Sequence, residues 1–421
     1  MRRLLLISHL AALAACSTTP APIDGAADRA AVVEYSRAGA VDSVPDPAYQ
    51  YFQGRRMAVW NQADREIAFS KWDSVFRARV VTRVVKHAPA SRPLPAGAPI
   101  SAYAPGGAQA PVLQQYIAEH KVAGIIVLQD GKVRLERYAL GHDANSRWTS
   151  QSVAKSVAAT LVGAAIKDGY IKSIDEPVTT YIPGLRESAY DRVSIRQLLT
   201  MTSGVKWNED YTDTKADIAL FYGTLFDPAL GRTVSYMRKL PRANPAGSKW
   251  VYNTGEANLI GELVSQATGK SLAAYLSEKI WVPVGMELDA TWAVGPDGRE
   301  IAGCCLQAGL RDFARVGQFI LEGAAIDGKS IVPDGWISAA TSKQADVNRP
   351  GIGYGYQWWT RDNGTFYAVG IHGKMIHVDP ARRLVIAINS VWPVATGQAP
   401  TLAREAVLAG IASALDAENR Q

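Results

Sequence analysis

Apolar and polar positions are most sharply ordered in two parts of the chain, residues 111–168 and residues 365–417. Residues 111–121 read as a helix. Residues 123–129 and 132–138 are strand-like, and Asp130-Gly131 between them is a strong hairpin signal, since a two-residue turn needs central residues that accept positive φ. Residues 152–168 are rich in Ala and Val at helical spacing, and Gly169 stops the run. Residues 175–350 break into mostly helical pieces with many Pro and Gly interruptions. Strand character returns at 365–370, 375–378 and 383–389, with a turn at Asp379-Pro380-Ala381-Arg382. A closing amphipathic helix spans 401–417, with Val407, Ile411 and Leu415 on one face. Strands at both ends of the region and helices between them predict an α/β fold. Its central antiparallel sheet, built from residues 111–174 and 355–421, is flanked by helices and carries an inserted, mainly helical subdomain at 175–354. No internal repeat is visible.

The first residues have a different pattern. Arg2 and Arg3 precede an apolar run at 4–15 that only Ser8 and His9 interrupt. Twelve residues are too few to span a bilayer, so the expectation is an export signal over 1–16. Leu13-Ala14-Ala15-Cys16 resembles a bacterial lipobox, which implies cleavage before Cys16 and lipidation of that cysteine; Ser17 then points to the outer membrane. The implied location is the bacterial cell envelope, lipid-anchored and facing the periplasm. Residues 17–48, rich in Ala, Pro, Ser, Thr and Asp, read as a flexible tether. Residues 49–110 read as an N-terminal extension packed on the main domain, 111–421.

Composition narrows the function classes. The 421 residues are 48% hydrophobic and 20% charged, as in an ordinary globular enzyme. The net charge of +6 is scattered. Its densest stretch, 77–87, interleaves Arg79, Arg83 and Lys86 with Val80, Val81, Val84 and Val85, which argues against a nucleic-acid partner. There are three cysteines, and Cys304 and Cys305 are adjacent. They read as two small core residues, with a vicinal disulfide as the alternative. No G-x-S-x-G or H-E-x-x-H pattern occurs. The Walker-like run Gly323 to Ser330 follows a helix-like segment and meets Pro333, so it reads as a surface turn, with no nucleotide expected.

Ser152-Val153-Ala154-Lys155 is the strongest chemical candidate. At a helix start, positions i and i+3 share a face, which puts an amine within reach of the serine hydroxyl. A lysine kept neutral by burial can take that proton, and the helix N-terminus supplies donors near a developing oxyanion. The tetrad alone is weak, but its context is ordered. Trp148 to Ser156, Asp175 to Pro183, Ile195 to Gly204, Trp250 to Gly255, Cys304 to Arg315, Gly353 to Trp359 and Gly370 to Pro380 together resemble the serine β-lactamase and penicillin-binding superfamily over about residues 110 to 415. Within it the likeness is greatest to class C enzymes, related esterases and 6-aminohexanoate-dimer hydrolases.

That resemblance implies roles. Ser152 would be the acylated nucleophile, Lys155 its base, and Tyr252 a proton relay. The backbone N–H groups of Ser152 and Ile371 would form the oxyanion hole. Tyr211, Thr254, Trp358 and His372 are substrate-binding candidates. No cofactor and no metal are expected. Two positions depart from the pattern: Thr254 stands where the family's Tyr-x-Asn element has Asn, and Ala368 where its Lys-Thr-Gly triplet has Lys. Loss of that lysine favours a small ester or simple amide over a β-lactam or D-alanyl-D-alanine peptide. Asn208-Glu209-Asp210-Tyr211 resembles a loop of the dimer hydrolases, whose matching tyrosine aids amide cleavage. The competing expectations are a β-lactamase or D-alanyl-D-alanine peptidase-type activity, and a non-catalytic envelope lipoprotein that binds peptidoglycan fragments or a partner.

Overall fold

A computed structural model describes residues 46–47, 57, 60–81 and 91–420. The export signal, Cys16 and nearly all of the 17–48 segment lie outside the described residues.

The main sheet has eight strands, every neighbouring pair antiparallel. Strands β2 (Val122–Gln129) and β3 (Lys132–Tyr138) form the anticipated hairpin, in which Asp130 and Gly131 adopt φ of 50° and 71°. From the far end of the chain come β12 (Phe366–Val369), β13 (Met375–Asp379) and β14 (Leu384–Ser390), and β14 pairs directly with β2. The remaining edge is β11 (Trp359–Arg361), β10 (Ile352–Tyr354) and β9 (Ala345–Arg349). The sheet therefore begins earlier on its C-terminal side than the pattern suggested, because β9 and β10 are too short and too interrupted to show a period.

Both faces of the sheet are covered, which explains why β2 is buried along its length. Alternate residues go to opposite sides. Ile126, Leu128, Val385 and Ala387 face a large core with helices Val153–Lys167 and Leu310–Leu321. Ile125, Val127, Leu384, Ile386 and Ile388 face helices Ala110–Glu119 and Gln398–Glu418. Each of these Val, Leu and Ile side chains, fully removed from water, contributes about 1.5 to 3 kcal/mol. No helix among the described residues is long and apolar enough to cross a membrane.

A second sheet, of four strands, lies within and beside the region read as mainly helical. It runs β1 (Ala78–Val81), β5 (Ala290–Ala293), β6 (Leu306–Gly309), β4 (Arg147–Thr149). Its edge strand β1 is lent by the segment before residue 110. That segment also supplies helices Gln62–Ser70 and Trp72–Val75, capped at Asn61 by a reciprocal capping box with Asp64. Trp60, Phe69, Trp72 and Val75 pack in one cluster with Trp148, Cys305 and Val391. Cys304 and Cys305 are joined in a vicinal disulfide, which corrects the reading of them as plain core residues. The Walker-like run is a hairpin of β7 (Ala325–Ile326) and β8 (Lys329–Ser330), so no helix follows it to receive a phosphate.

Candidate functional site

The nucleophile turn is held by its neighbours before any chemistry is considered. The Ser150 N–H donates to the Leu306 carbonyl at 2.6 Å, and the Leu306 N–H returns to Ser150 Oγ at 3.1 Å. Gln151 takes a φ of 45°, a left-handed conformation uncommon outside glycine, and so turns strand β4 sharply into helix Val153–Lys167. Ser152 sits at the mouth of that helix, half-buried.

Lys155, one turn on, is 2% exposed. Its Nζ donates to Ser152 Oγ at 2.8 Å and to the Gly303 carbonyl at 2.7 Å. Burial lowers its pKa to about 8, against an opposing pull from the Glu209 carboxylate. About a tenth of it is therefore a free amine at pH 7, and about half at pH 8, within reach of the serine. Gly303 is fixed in turn, its N–H donating to Asn258 Oδ1 at 2.8 Å, and a Cβ there would meet Thr254 Cγ2 at 2.8 Å.

Tyr252 completes the group. Its hydroxyl lies near the Ser152 side chain, and the Lys155 amine lies 5.1 Å from its ring centre. The ring stacks on Trp359 with centroids 6.0 Å apart. Burial, then the Glu209 charge, push the phenol pKa well above its usual value, so Tyr252 stays a neutral hydroxyl able to accept and pass a proton.

Opposite the serine, Gly370 ends strand β12. A Cβ there would lie 2.6 Å from Gln151 Cβ and 3.0 Å from both the Ser150 carbonyl and the Ser152 nitrogen. Only a glycine lets this strand end touch the nucleophile turn. Among the described residues neither the Ser152 N–H nor the Ile371 N–H has a hydrogen-bond partner, and both belong to this contact. Unpartnered donors on the two sides of a close contact suit an oxygen that is gaining negative charge.

The other candidates differ in where they lie. The Tyr211 hydroxyl donates to Glu209 Oε1 at 2.7 Å. Thr254 donates to the same carboxylate through both its N–H, at 3.1 Å, and its hydroxyl. Trp358 is 1% exposed and packs edge-on against Phe366 in the main core, so its side chain is not open to a substrate. His372 lies behind the oxyanion strand. Its Nδ1 is 2.7 Å from the Trp392 carbonyl and its ring meets Phe69 edge-on at 5.5 Å. Ala368 is buried in the sheet. The nearby Lys374 does not replace the missing cation in the cleft: its amine is in the core, bonded to Asn389 and 3.2 Å from the centre of the Phe313 ring.

Sequence reasoning missed Glu209 as a site residue in its own right. Its two oxygens accept four hydrogen bonds, from Trp207 Nε1, Tyr211, and the hydroxyl and N–H of Thr254. An acid in a polar loop reads as solvated. The available signal was its position between two aromatic residues that both carry donors. Gly303 and Asn258 were equally silent, since their role is a backbone carbonyl and its support. Among the described residues no three His, Cys, Asp or Glu side chains are grouped to hold a metal ion.

The beta-lactamase family model matches residues 110–410. The chain is 30% identical over 299 residues to a 6-aminohexanoate-dimer hydrolase of Paenarthrobacter ureafaciens, covering 67% of this chain and 76% of that one. A solved structure assigned as a 6-aminohexanoate-dimer hydrolase from Bacillus anthracis superposes with a TM-score of 0.75 at 20% identity, over 90% of this chain and 99% of the other. A class C beta-lactamase mutant gives a TM-score of 0.52 at 16% identity, over 69% of this chain and 93% of its own.

Proposed function

The chain belongs to the beta-lactamase family, whose fold hosts amidases, esterases and beta-lactamases, and from that starting point we propose that it is an amide hydrolase working through an acyl-enzyme on Ser152. Neutral Lys155 takes the Ser152 proton as Oγ attacks the substrate carbonyl. The resulting oxyanion is held between the Ser152 and Ile371 N–H groups. Tyr252 passes a proton to the departing amine, and then activates the water that releases the acid.

The preference for an amide rests on Tyr211. Its proton is committed to Glu209 at 2.7 Å, so its oxygen offers lone pairs only. An amide N–H can donate to that oxygen, whereas an ester has no donor at that position. The relative named for cleaving an amide dimer supports the same reading. Ala368 leaves the strand without the cation that would grip the carboxylate of a β-lactam.

The test is a substrate panel of 6-aminohexanoate dimer, p-nitrophenyl butyrate and nitrocefin. Tyr211→Phe is expected to lower kcat/KM for the dimer about tenfold, the worth of one hydrogen bond, while ester hydrolysis changes little. Equal loss on both substrates, or nitrocefin turned over faster than the dimer, would overturn the proposal. We further propose that Cys16 carries a lipid anchor on the periplasmic side of the envelope. Membrane association that survives Cys16→Ser would refute it.

A further inference from the structure

Residues 303–306 touch the catalytic group twice. At one end the Gly303 carbonyl is the backbone acceptor of Lys155 Nζ, at 2.7 Å. At the other, Leu306 exchanges two hydrogen bonds with Ser150, two residues before the nucleophile. The Cys304–Cys305 disulfide occupies the whole space between them. Four residues therefore connect the base to the nucleophile turn, and a covalent ring closes across their middle.

The backbone there is not one that cysteine adopts freely. Cys305 has a φ of 74°, in the left-handed region that favours glycine. Its surroundings hold it: the Ala293 N–H donates to the Cys305 carbonyl at 3.0 Å, and Trp292 Nε1 donates to the Cys304 carbonyl at 3.0 Å. Cys305 is buried against Trp148 and Phe69, whereas Cys304 is half-exposed, with its sulfur 3.9 Å from the Tyr222 hydroxyl. One sulfur of the pair is thus reachable from the side of the cleft. A conformation costing on the order of 1 kcal/mol or more is retained when something over-determines it, and the ring is the extra constraint.

We propose that the Cys304–Cys305 link is a positioning element for Lys155, so that a small dithiol or a dithiol oxidoreductase opening it turns hydrolysis down. A thiolate of the dithiol attacks Cys304 Sγ, the sulfur–sulfur bond breaks, and Cys305 leaves as a thiolate and is protonated. The second thiol of the reagent then displaces Cys304, which leaves as a thiol. Two electrons and two protons end on the cysteines, and the dithiol becomes a disulfide. With the ring open, one of the constraints that keep Cys305 in the left-handed conformation is gone. The Gly303 carbonyl then moves relative to Lys155, and the amine loses a fixed acceptor while keeping its place in the sequence.

The inference rests on the reading of Ser152 and Lys155 as nucleophile and base, and its test keeps the two separable. Full-chain enzyme is assayed with a p-nitrophenyl ester before and after dithiothreitol treatment and desalting, and again after reoxidation. The 304–305 peptide is alkylated and weighed at each stage. Reduction is expected to lower kcat about 10- to 100-fold, the size of effect that a misplacement near 1 Å produces, with KM little changed. The acid limb of the pH profile moves to lower pH, because an ammonium that loses an acceptor is less stable. Reoxidation restores both. Two free thiols in the untreated peptide, or an unchanged rate and profile in the reduced enzyme, would overturn the proposal. Failure of Ser152 to take a fluorophosphonate in the oxidised enzyme sinks the acyl-enzyme reading instead. Two double variants give a second arm. Cys304→Ser/Cys305→Gly, where glycine accepts the same backbone without a ring, is expected to retain more activity than Cys304→Ser/Cys305→Ser. Equal activity in the two overturns the backbone argument.

Discussion

In the proposed mechanism Lys155 can act as the base only when it has given up its proton, and its enclosure is what makes that reachable. With the amine at a pKa of about 8, kcat/KM is expected to climb through pH 8 and level off above it, as measured on a p-nitrophenyl ester. Lys155→Arg keeps the charge but removes the base, since a guanidinium does not deprotonate in proteins, and hydrolysis is expected to fall by three orders of magnitude or so at every pH. Tyr252→Phe keeps the ring stacked on Trp359 and removes only the relay; turnover drops by about 100- to 10,000-fold while the melting temperature stays put. Near-normal turnover would take Tyr252 out of the mechanism. At this scale the sequence was most informative where chemistry depends on side-chain spacing. Ser152 and Lys155 are one helical turn apart, and their 2.8 Å contact follows from that. It was least informative where a group works through its backbone or through saturation of its lone pairs. Gly303 and Glu209 are of that kind, and neither residue type advertises such a role.

Among the elements, helix Thr254–Thr268 carries a buried acid near its start. Glu256 is 1% exposed; burial raises its pKa to about 8, against hydrogen bonds from Ser203 and Tyr190 that lower it. The folded chain thus keeps a proton that the unfolded chain releases between pH 4.5 and about 8. More protons bound in the folded state means that stability falls as pH rises across that window. Glu256→Gln, of similar shape and without the titration, is expected to melt at nearly the same temperature as the wild type at pH 5 and above it at pH 8.5. The reverse order would contradict the buried neutral acid. Long patterned elements were legible. The helix read at 152–168 is Val153–Lys167, and the strand read at 383–389 is Leu384–Ser390. Strands β5 and β6, four residues each, were not: their partners come from residues 78–81 and 147–149, and a period of two cannot be counted over so few positions.

Across the whole molecule, a sheet made from the two ends of the domain was foreseeable from where strand character occurs, because an antiparallel sheet can join segments distant in sequence. The coupling of the early segment to the centre was not foreseeable. Phe69, fully buried, touches both Trp148, four residues before Ser152, and His372, next to Ile371, the proposed oxyanion donor. Phe69→Ala is expected to cost about 3 to 5 kcal/mol by denaturant titration, the range for an aromatic residue truncated in a packed core. A loss below 1 kcal/mol would mean that helix Gln62–Ser70 is not part of the folding unit.

The contact at Gly370 has a consequence for how such an enzyme can change over time. A side chain at position 370 would push that strand end and the turn before Ser152 apart, so substitution there is expected to displace the two proposed N–H donors. New substrates must be accommodated elsewhere, on the Tyr211 side and the Tyr222–Cys304 side. Libraries that spare residue 370 and diversify those two walls are the ones expected to yield altered specificity without loss of the acylation step.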